Sequence, residues 1–287
     1  MPTVLITGAS TGIGEATALR LARKGWTVLA GVRDPAAGER LTAAAQTSAG
    51  RVLPLTLDVT DAAQIAQAAE RVAQETGASA QSPAGKLDAL INNAGVGYGG
   101  PLELLPIEDL RHQLEVNVLG QVAVTQAMLP ALRAARGRIV FLSSVGGRVA
   151  MAFTAPYAAS KHAIEAIGDA LRVELRTSKV KVALVEPGSV ATPIWEKSRR
   201  EADRLSVPEG LREQYGHVTA AMDKVLEDTA RRGIPPEQVA ETIERALSAK
   251  RMKARYLIGR DAKGMVLIRR LLPDLVFDRL ARRALGV

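Results

Sequence analysis

The sequence predicts an α/β fold, a doubly wound sheet of about seven parallel strands with helices on both faces. Three observations predict it. Short runs rich in Val, Leu and Ile recur along the chain without polar alternation, as strands buried on both faces require. Between them lie longer segments of helical spacing, and strands alternating with helices of that length read as repeated βαβ units. A glycine-rich turn joins the first apolar run to the first helical segment, the usual ligand corner of such sheets.

In chain order the apolar runs are TVLIT (3–7), TVLAGV (27–32), VLPLTL (52–57), LDALI (87–91), RIVFLS (138–143), VKVALV (180–185) and ARYLI (254–258). Helical spacing covers roughly 12–24, 61–76, 106–134, 157–177 and 236–249, with a weaker segment near 36–46. Thr60 is the expected N-cap of the 61–76 helix. Residues 78–85, ASAQSPAG, are small and polar and read as a surface loop. Residues 188–235 form a connection too long for a compact domain and are expected to be a lid insertion. The tail, 260–287, is apolar and basic by turns and predicts amphipathic helices broken near Pro273. No composition break divides the chain, so residues 1–287 are expected to form one domain.

Composition narrows the function. The 47% hydrophobic and 24% charged residues are the balance of an ordinary globular protein and exclude wholesale disorder. A net charge of +8 raises the question of nucleic acid, but the basic residues are scattered among acids and aromatics are only 3%, too few for base stacking. No nucleic-acid partner is expected. Cysteine is absent, and His112, His162 and His217 are far apart, so no thiolate nucleophile exists and no metal site is expected. The opening MPTVLITGAS predicts no signal peptide, and no run of about 18 apolar residues predicts a membrane span. The expected location is cytoplasmic.

The chemistry begins at TGASTGIG, residues 7–14. Gly8, Gly12 and Gly14 allow a tight turn and a close backbone approach by pyrophosphate, with helix N–H groups aimed at the anion. In PYAASKHA, Tyr157 precedes Lys161 by one helical turn, so the two side chains share a face. Taken alone, that pair reads better as a surface tyrosine covering a lysine stem than as a proton-transfer centre.

The spacing GxxxGxG resembles the glycine motif of the short-chain dehydrogenase/reductase superfamily, and the resemblance continues in order. It takes in Asp58 in LDVT, NNAG at 92–95, Asn117 in EVNVLG, Ser144 in FLSS, Tyr157 and Lys161 in YAASK, and PGSVAT at 187–192. It covers residues 3 to about 192, with 254–258 completing a Rossmann-like sheet. The tail is similar, more weakly, to hydroxysteroid and retinol dehydrogenase-like members.

The resemblance implies hydride transfer between a nicotinamide and a carbonyl or secondary alcohol. Tyr157 is then the acid/base, Lys161 lowers its pKa and holds the nicotinamide ribose, Ser144 orients the substrate oxygen, and Asn117 holds a water for proton exchange. Cofactor contacts are expected from Gly8, Ser10, Thr11, Gly12, Ile13, Gly14, Asp58, Val59, Asn93, Ala94, Gly95, Pro187, Gly188, Val190 and Thr192, as well as Tyr157 and Lys161. Val32 falls at the tip of the second strand and Arg33 follows it, which favours NADP, although a shift of one residue would bring Asp34 to the ribose and leave NAD open. Val149, Met151, Phe153, Ile194 and Trp195 form an apolar collection that points to a lipophilic ketone, aldehyde or alcohol. The resemblance also implies a homodimer or homotetramer through the helices near 106–134 and 157–177. The tail leaves open a weak peripheral membrane contact. The alternative function is a catalytically silent NADP-binding regulatory protein, which loss of a tetrad residue would mark; none is lost.

Overall fold

The computed structural model describes residues 1–194, 207–217 and 231–285. Seven parallel strands form one sheet in the order β3-β2-β1-β4-β5-β6-β7. They are β1 (Thr3–Ile6), β2 (Thr27–Val32), β3 (Arg51–Thr56), β4 (Ala89–Asn92), β5 (Arg138–Leu142), β6 (Lys181–Pro187) and β7 (Arg255–Ile258). The architecture is the Rossmann-like one expected, and the strand order reverses between β1 and β4.

The missing polar alternation has a direct cause. Successive side chains of a strand point to opposite faces. Val4 and Ile6 of β1, Val28 and Ala30 of β2, Ile91 of β4 and Val140 of β5 enter one core, whereas Leu5, Leu29, Leu90, Ile139 and Phe141 enter the other. Both faces are covered. On the first lie α1 (Gly12–Arg23), through Ala18 and Leu21, and α7 (Pro236–Ser248), through Val239, Ile243 and Leu247. On the second lie α3 (Ala62–Glu75), through Ile65 and Val72, α5 (Gln121–Ala135), through Val124, Met128 and Leu132, and α6 (Ala155–Glu174), through Ile164. Each fully buried Leu, Ile or Phe contributes about 1.5–3 kcal/mol relative to exposure.

Two local expectations need correction. The segment 106–134 is not one helix: α4 (Ile107–Leu114) passes through a π-helical turn, Glu115–Gly120, into α5. That turn carries Asn117, and such bulges are frequent at functional sites. The N-cap of α3 is Asp61 rather than Thr60; its carboxylate accepts from Ala63 N at 2.9 Å and Gln64 N at 3.1 Å. Thr60 instead donates to Asp58 through both N–H and O–H, at 3.0 and 2.8 Å. Further helices are α2 (Pro35–Ala44), α8 (Arg260–Leu271) and α9 (Asp274–Leu285), the last two separated at Pro273, and the described residues also include a single helical turn at Arg212–Tyr215. Within the polar loop, Ser79 and Ser82 exchange two backbone hydrogen bonds at 3.0 Å. Of the lid expected over 188–235, residues 195–206 and 218–230, with Trp195 and Met222, lie outside the described residues. Its described ends meet: Ala191 N donates to Ile234 O at 3.0 Å and Ile234 N to Ser189 O at 2.9 Å.

Candidate active site

A cleft opens at the carboxyl ends of the strands, at the reversal of strand order. The β1–α1 loop lines it with Gly8, Ser10, Thr11 and Ile13, the tip of β2 with Arg33, and the end of β3 with Asp58 and Val59. Asn93, Ala94 and Gly95 follow β4, Ser144 follows β5, Tyr157 and Lys161 come from α6, and Pro187, Gly188 and Val190 come from the end of β6. Four of the residues expected at the site are not among those that line the cleft. Gly12 and Thr192 pack against each other, a Cβ on Gly12 lying 3.2 Å from Thr192 Cγ2. Gly14 backs onto Gly8 O and Asn93 Nδ2. Asn117 sits behind Val96.

Gly8 adopts φ +64°, a left-handed conformation that disfavours a side chain. The loop is pinned from β4. Asn93 Nδ2 donates to Thr7 O at 3.0 Å and Gly8 O at 2.9 Å, while Thr7 Oγ1 accepts from Asn93 N and Ala94 N, each at 3.0 Å. Sequence reasoning did not single out Thr7. Its signal was a hydroxyl residue immediately before the first glycine.

The residues present fit a dinucleotide. α2 and α3 have aspartate caps, Asp34 and Asp61, but Thr11 makes no side-chain cap at the start of α1. The first N–H groups of α1 therefore have no side-chain acceptor from the N-cap, as an anion site requires. Asp34 accepts from Ala36 N at 3.0 Å as that cap and does not line the cleft, which leaves Arg33 as the charged group at the β2 tip. Arg33 Nη1 lies 4.0 Å from Asp58 Oδ2. Partial burial opposes ionisation of Asp58, but the two hydrogen bonds from Thr60, with Arg33 and His112 nearby, hold its carboxyl below the usual range.

At the other end, Ser144 Oγ accepts from Gly146 N at 3.1 Å and is hydrogen-bonded to the Tyr157 phenol. Its neighbour Ser143 has a buried Oγ with no hydrogen-bond partner among the described residues. Lys161 Nζ donates to Leu142 O at 2.8 Å and lies 5.6 Å from the centre of the Tyr157 ring. Asn117 is fully engaged: Oδ1 accepts from Val96 N at 2.8 Å, and Nδ2 donates to Val96 O at 2.9 Å and Ser160 Oγ at 3.1 Å. Ser160 Oγ in turn donates to Tyr157 O at 2.7 Å, so Asn117 braces the turn of α6 that carries the tyrosine.

The electrostatics correct one expectation. In the free chain Tyr157 is not depressed: burial pushes its pKa up, and the Ser144 hydrogen bond only partly opposes this. Burial likewise lowers Lys161 to about 8, against the pull of Glu165 one turn on. In the free chain burial outweighs the Ser144 hydrogen bond, and the phenol stays protonated. Behind it Arg255 Nε joins two carboxylates, Glu165 at 2.9 Å and Glu186 at 3.1 Å. Arg148 also pairs with Glu186, at 3.2 Å, so its charge is turned into this network.

The lowered Lys161 pKa carries a stability consequence. Between about 8 and 10.5 the unfolded chain binds a proton at Lys161 that the folded chain releases, so stability rises with pH across that window. Denaturant midpoints of wild type minus Lys161→Met should rise from pH 8 to 10.5; a flat difference contradicts the assignment.

A seven-stranded parallel sheet with Ser144, Tyr157 and Lys161 gathered at its switch-point cleft defines a Rossmann-like protein of the dehydrogenase type. A family model described as short chain dehydrogenase matches residues 2–203. The NADPH-dependent 3-dehydrocapnine reductase of Ornithobacterium rhinotracheale is 34% identical over 96% of this chain and 94% of its own. Retinol dehydrogenase 5 of Mus musculus is 37% identical over 96% and 86% respectively. The crystal structure of a short-chain dehydrogenase/reductase from Burkholderia phymatum in complex with NAD superposes with a TM-score of 0.78 at 27% identity, covering 94% of this chain and 92% of that one. The chain belongs to the short-chain dehydrogenase/reductase family of oxidoreductases.

Proposed function

We propose that this protein is an NADP(H)-dependent reductase of lipophilic carbonyl compounds, with Tyr157 as general acid. The observation that carries the reading is the hydrogen-bonded Ser144–Tyr157 pair with Lys161 beneath it, at one end of a cleft whose other end is Arg33. When bound, a nicotinamide dinucleotide supplies the hydride chemistry. The glycine loop and the uncapped start of α1 hold its pyrophosphate, Asp58 its adenine end and Lys161 its nicotinamide ribose. Ser144 O–H fixes the carbonyl oxygen, and Tyr157 O–H gives that oxygen its proton. Burial keeps the phenol protonated in the free chain, the state from which a proton donor starts. Lys161 offsets the phenolate charge left behind, and the Asn117–Ser160 brace keeps Tyr157 in place.

The lipophilic assignment is supported by apolar side chains that line the cleft, Val96 and Ile194, and by the similarity to a retinol dehydrogenase. The test is oxidation of NADPH and NADH against a panel of lipophilic ketones, aldehydes and quinones. Turnover that is faster with NADPH is expected. Binding of NADPH without turnover on any member would leave two choices, a narrow substrate outside the panel or the silent regulatory protein.

Arg33 is the proposed partner of the 2′-phosphate. A charge-assisted hydrogen bond contributes about 1.5–3 kcal/mol, so Arg33→Ala should weaken NADPH binding about 10- to 100-fold. NADH binding should barely change. Equal losses for both cofactors in a fluorescence titration would remove Arg33 from the phosphate site.

A further inference from the structure

The last two helices carry a surface that the reductase reading does not use. Leu267, Ile268 and Leu271 of α8, and Leu275, Val276 and Leu280 of α9, are exposed large apolar side chains. Leu271 and Leu275, on either side of the Pro273 break, are 69% and 74% exposed. These side chains are not loose ends of an unpacked tail. Phe277 of α9 is buried under Arg269, whose guanidinium lies 5.3 Å from the ring centre, and Arg269 also pairs with Asp274 at 2.6 Å. The two helices are thus fastened to each other with their leucines outward.

The charge on this element is lopsided. Residues 260–283 hold seven Arg or Lys against three Asp, a net +4, half of the +8 of the whole chain. Arg270, Arg279, Arg282 and Arg283 are exposed beside the leucines. Exposed leucines and arginines on adjacent helices match the two layers of a lipid interface, acyl chains for the former and anionic headgroups for the latter. A second copy of the chain is a poor occupant, because two-fold packing would set one +4 patch against another. Nucleic acid offers the leucines nothing. Among the described residues no helix is long and apolar enough to cross a membrane, so the contact would be with its surface.

We propose that α8 and α9 dock on an anionic phospholipid bilayer. The element is tied to the cleft: Asp261, in the first turn of α8, accepts from Ser189 N at 2.9 Å, and its carboxylate lies against Gly188, a cleft residue. Docking there sets the mouth of the site beside the phase in which a lipophilic substrate dissolves.

The test is co-sedimentation of the full chain with vesicles of phosphatidylcholine alone or mixed with phosphatidylglycerol, at low and high salt. It reads no turnover, so its failure is separate from failure of the reductase reading. Wild type should pellet with the phosphatidylglycerol vesicles at low salt and be released at high salt. Leu271→Ser with Leu275→Ser, and Arg279→Gln with Arg283→Gln, change exposed side chains and should leave the fold intact by circular dichroism. Each pair should lower the partition coefficient by on the order of tenfold or more. Wild type staying in the supernatant with phosphatidylglycerol vesicles at low salt overturns the proposal. So does sedimentation that neither pair reduces. A concentration-dependent dimer that the leucine pair dissociates, seen by analytical ultracentrifugation without lipid binding, would assign the surface to self-association instead.

Discussion

Tyr157→Phe should lower turnover with a lipophilic ketone about 10²- to 10⁴-fold, the usual contribution of a positioned general acid. The substitution removes one oxygen and keeps the ring, so the 5.6 Å packing of Lys161 on that ring and the brace at Tyr157 O survive. NADPH affinity should therefore stay within a few fold, and the melting temperature should change little. Loss of turnover without loss of binding separates proton donation from architecture. A variant that retains most of its activity would mean that another group protonates the substrate, and that the Ser144–Tyr157 hydrogen bond only organises the cleft. Ser144→Ala completes the comparison, since it removes the hydroxyl that orients the oxygen but leaves the acid.

Gly14→Ala should weaken dinucleotide binding and the fold together. A Cβ there would collide with Gly8 O, lie 2.6 Å from Asn93 Nδ2 and 3.0 Å from Ala9 Cα. Backbone atoms of the glycine loop cannot rotate away, so α1 must back off from β1. Overpacking of this kind costs about 1–3 kcal/mol, a fall in melting temperature of roughly 2–5 °C for a chain of this size. The same movement separates Asn93 from Thr7 O and Gly8 O, so the anion cradle opens and NADPH affinity should drop at least tenfold. The control is Gly264→Ala in α8, where a Cβ meets nothing within 4 Å. It should be neutral or stabilising by up to about 1 kcal/mol. Similar effects at both positions would mean that the glycine loop is not close-packed.

What the sequence could reveal depended on the range of the interaction. The strands were legible because burial on both faces, as with Leu5 and Ile6 in opposite cores, leaves an unbroken apolar run. Ser144, Tyr157 and Lys161 were legible through their order and spacing. Where two signals lay one residue apart, sequence could not choose, as with Thr60 and Asp61 at the start of α3. The π turn at Glu115–Gly120 adds one residue to a turn, and an apolar stripe already broad enough for a helix does not register the change. The electrostatics were wholly out of reach. Lys161 is governed by burial against Leu142 O and by Glu165, and the Glu165–Arg255–Glu186 cluster assembles from α6, β7 and β6. The Asp261 contact that joins the tail to the β6 loop spans 72 residues and left no local trace.

The most direct test of the reductase account is isotope transfer. Wild-type protein is incubated with NADPH carrying deuterium at both hydrogen positions of the nicotinamide C4 and a lipophilic ketone that it turns over, and the alcohol is analysed by mass spectrometry. The account predicts an alcohol heavier by one mass unit, formed by wild type and almost absent with Tyr157→Phe. Unlabelled alcohol, or labelled alcohol formed equally well by the variant, would contradict it.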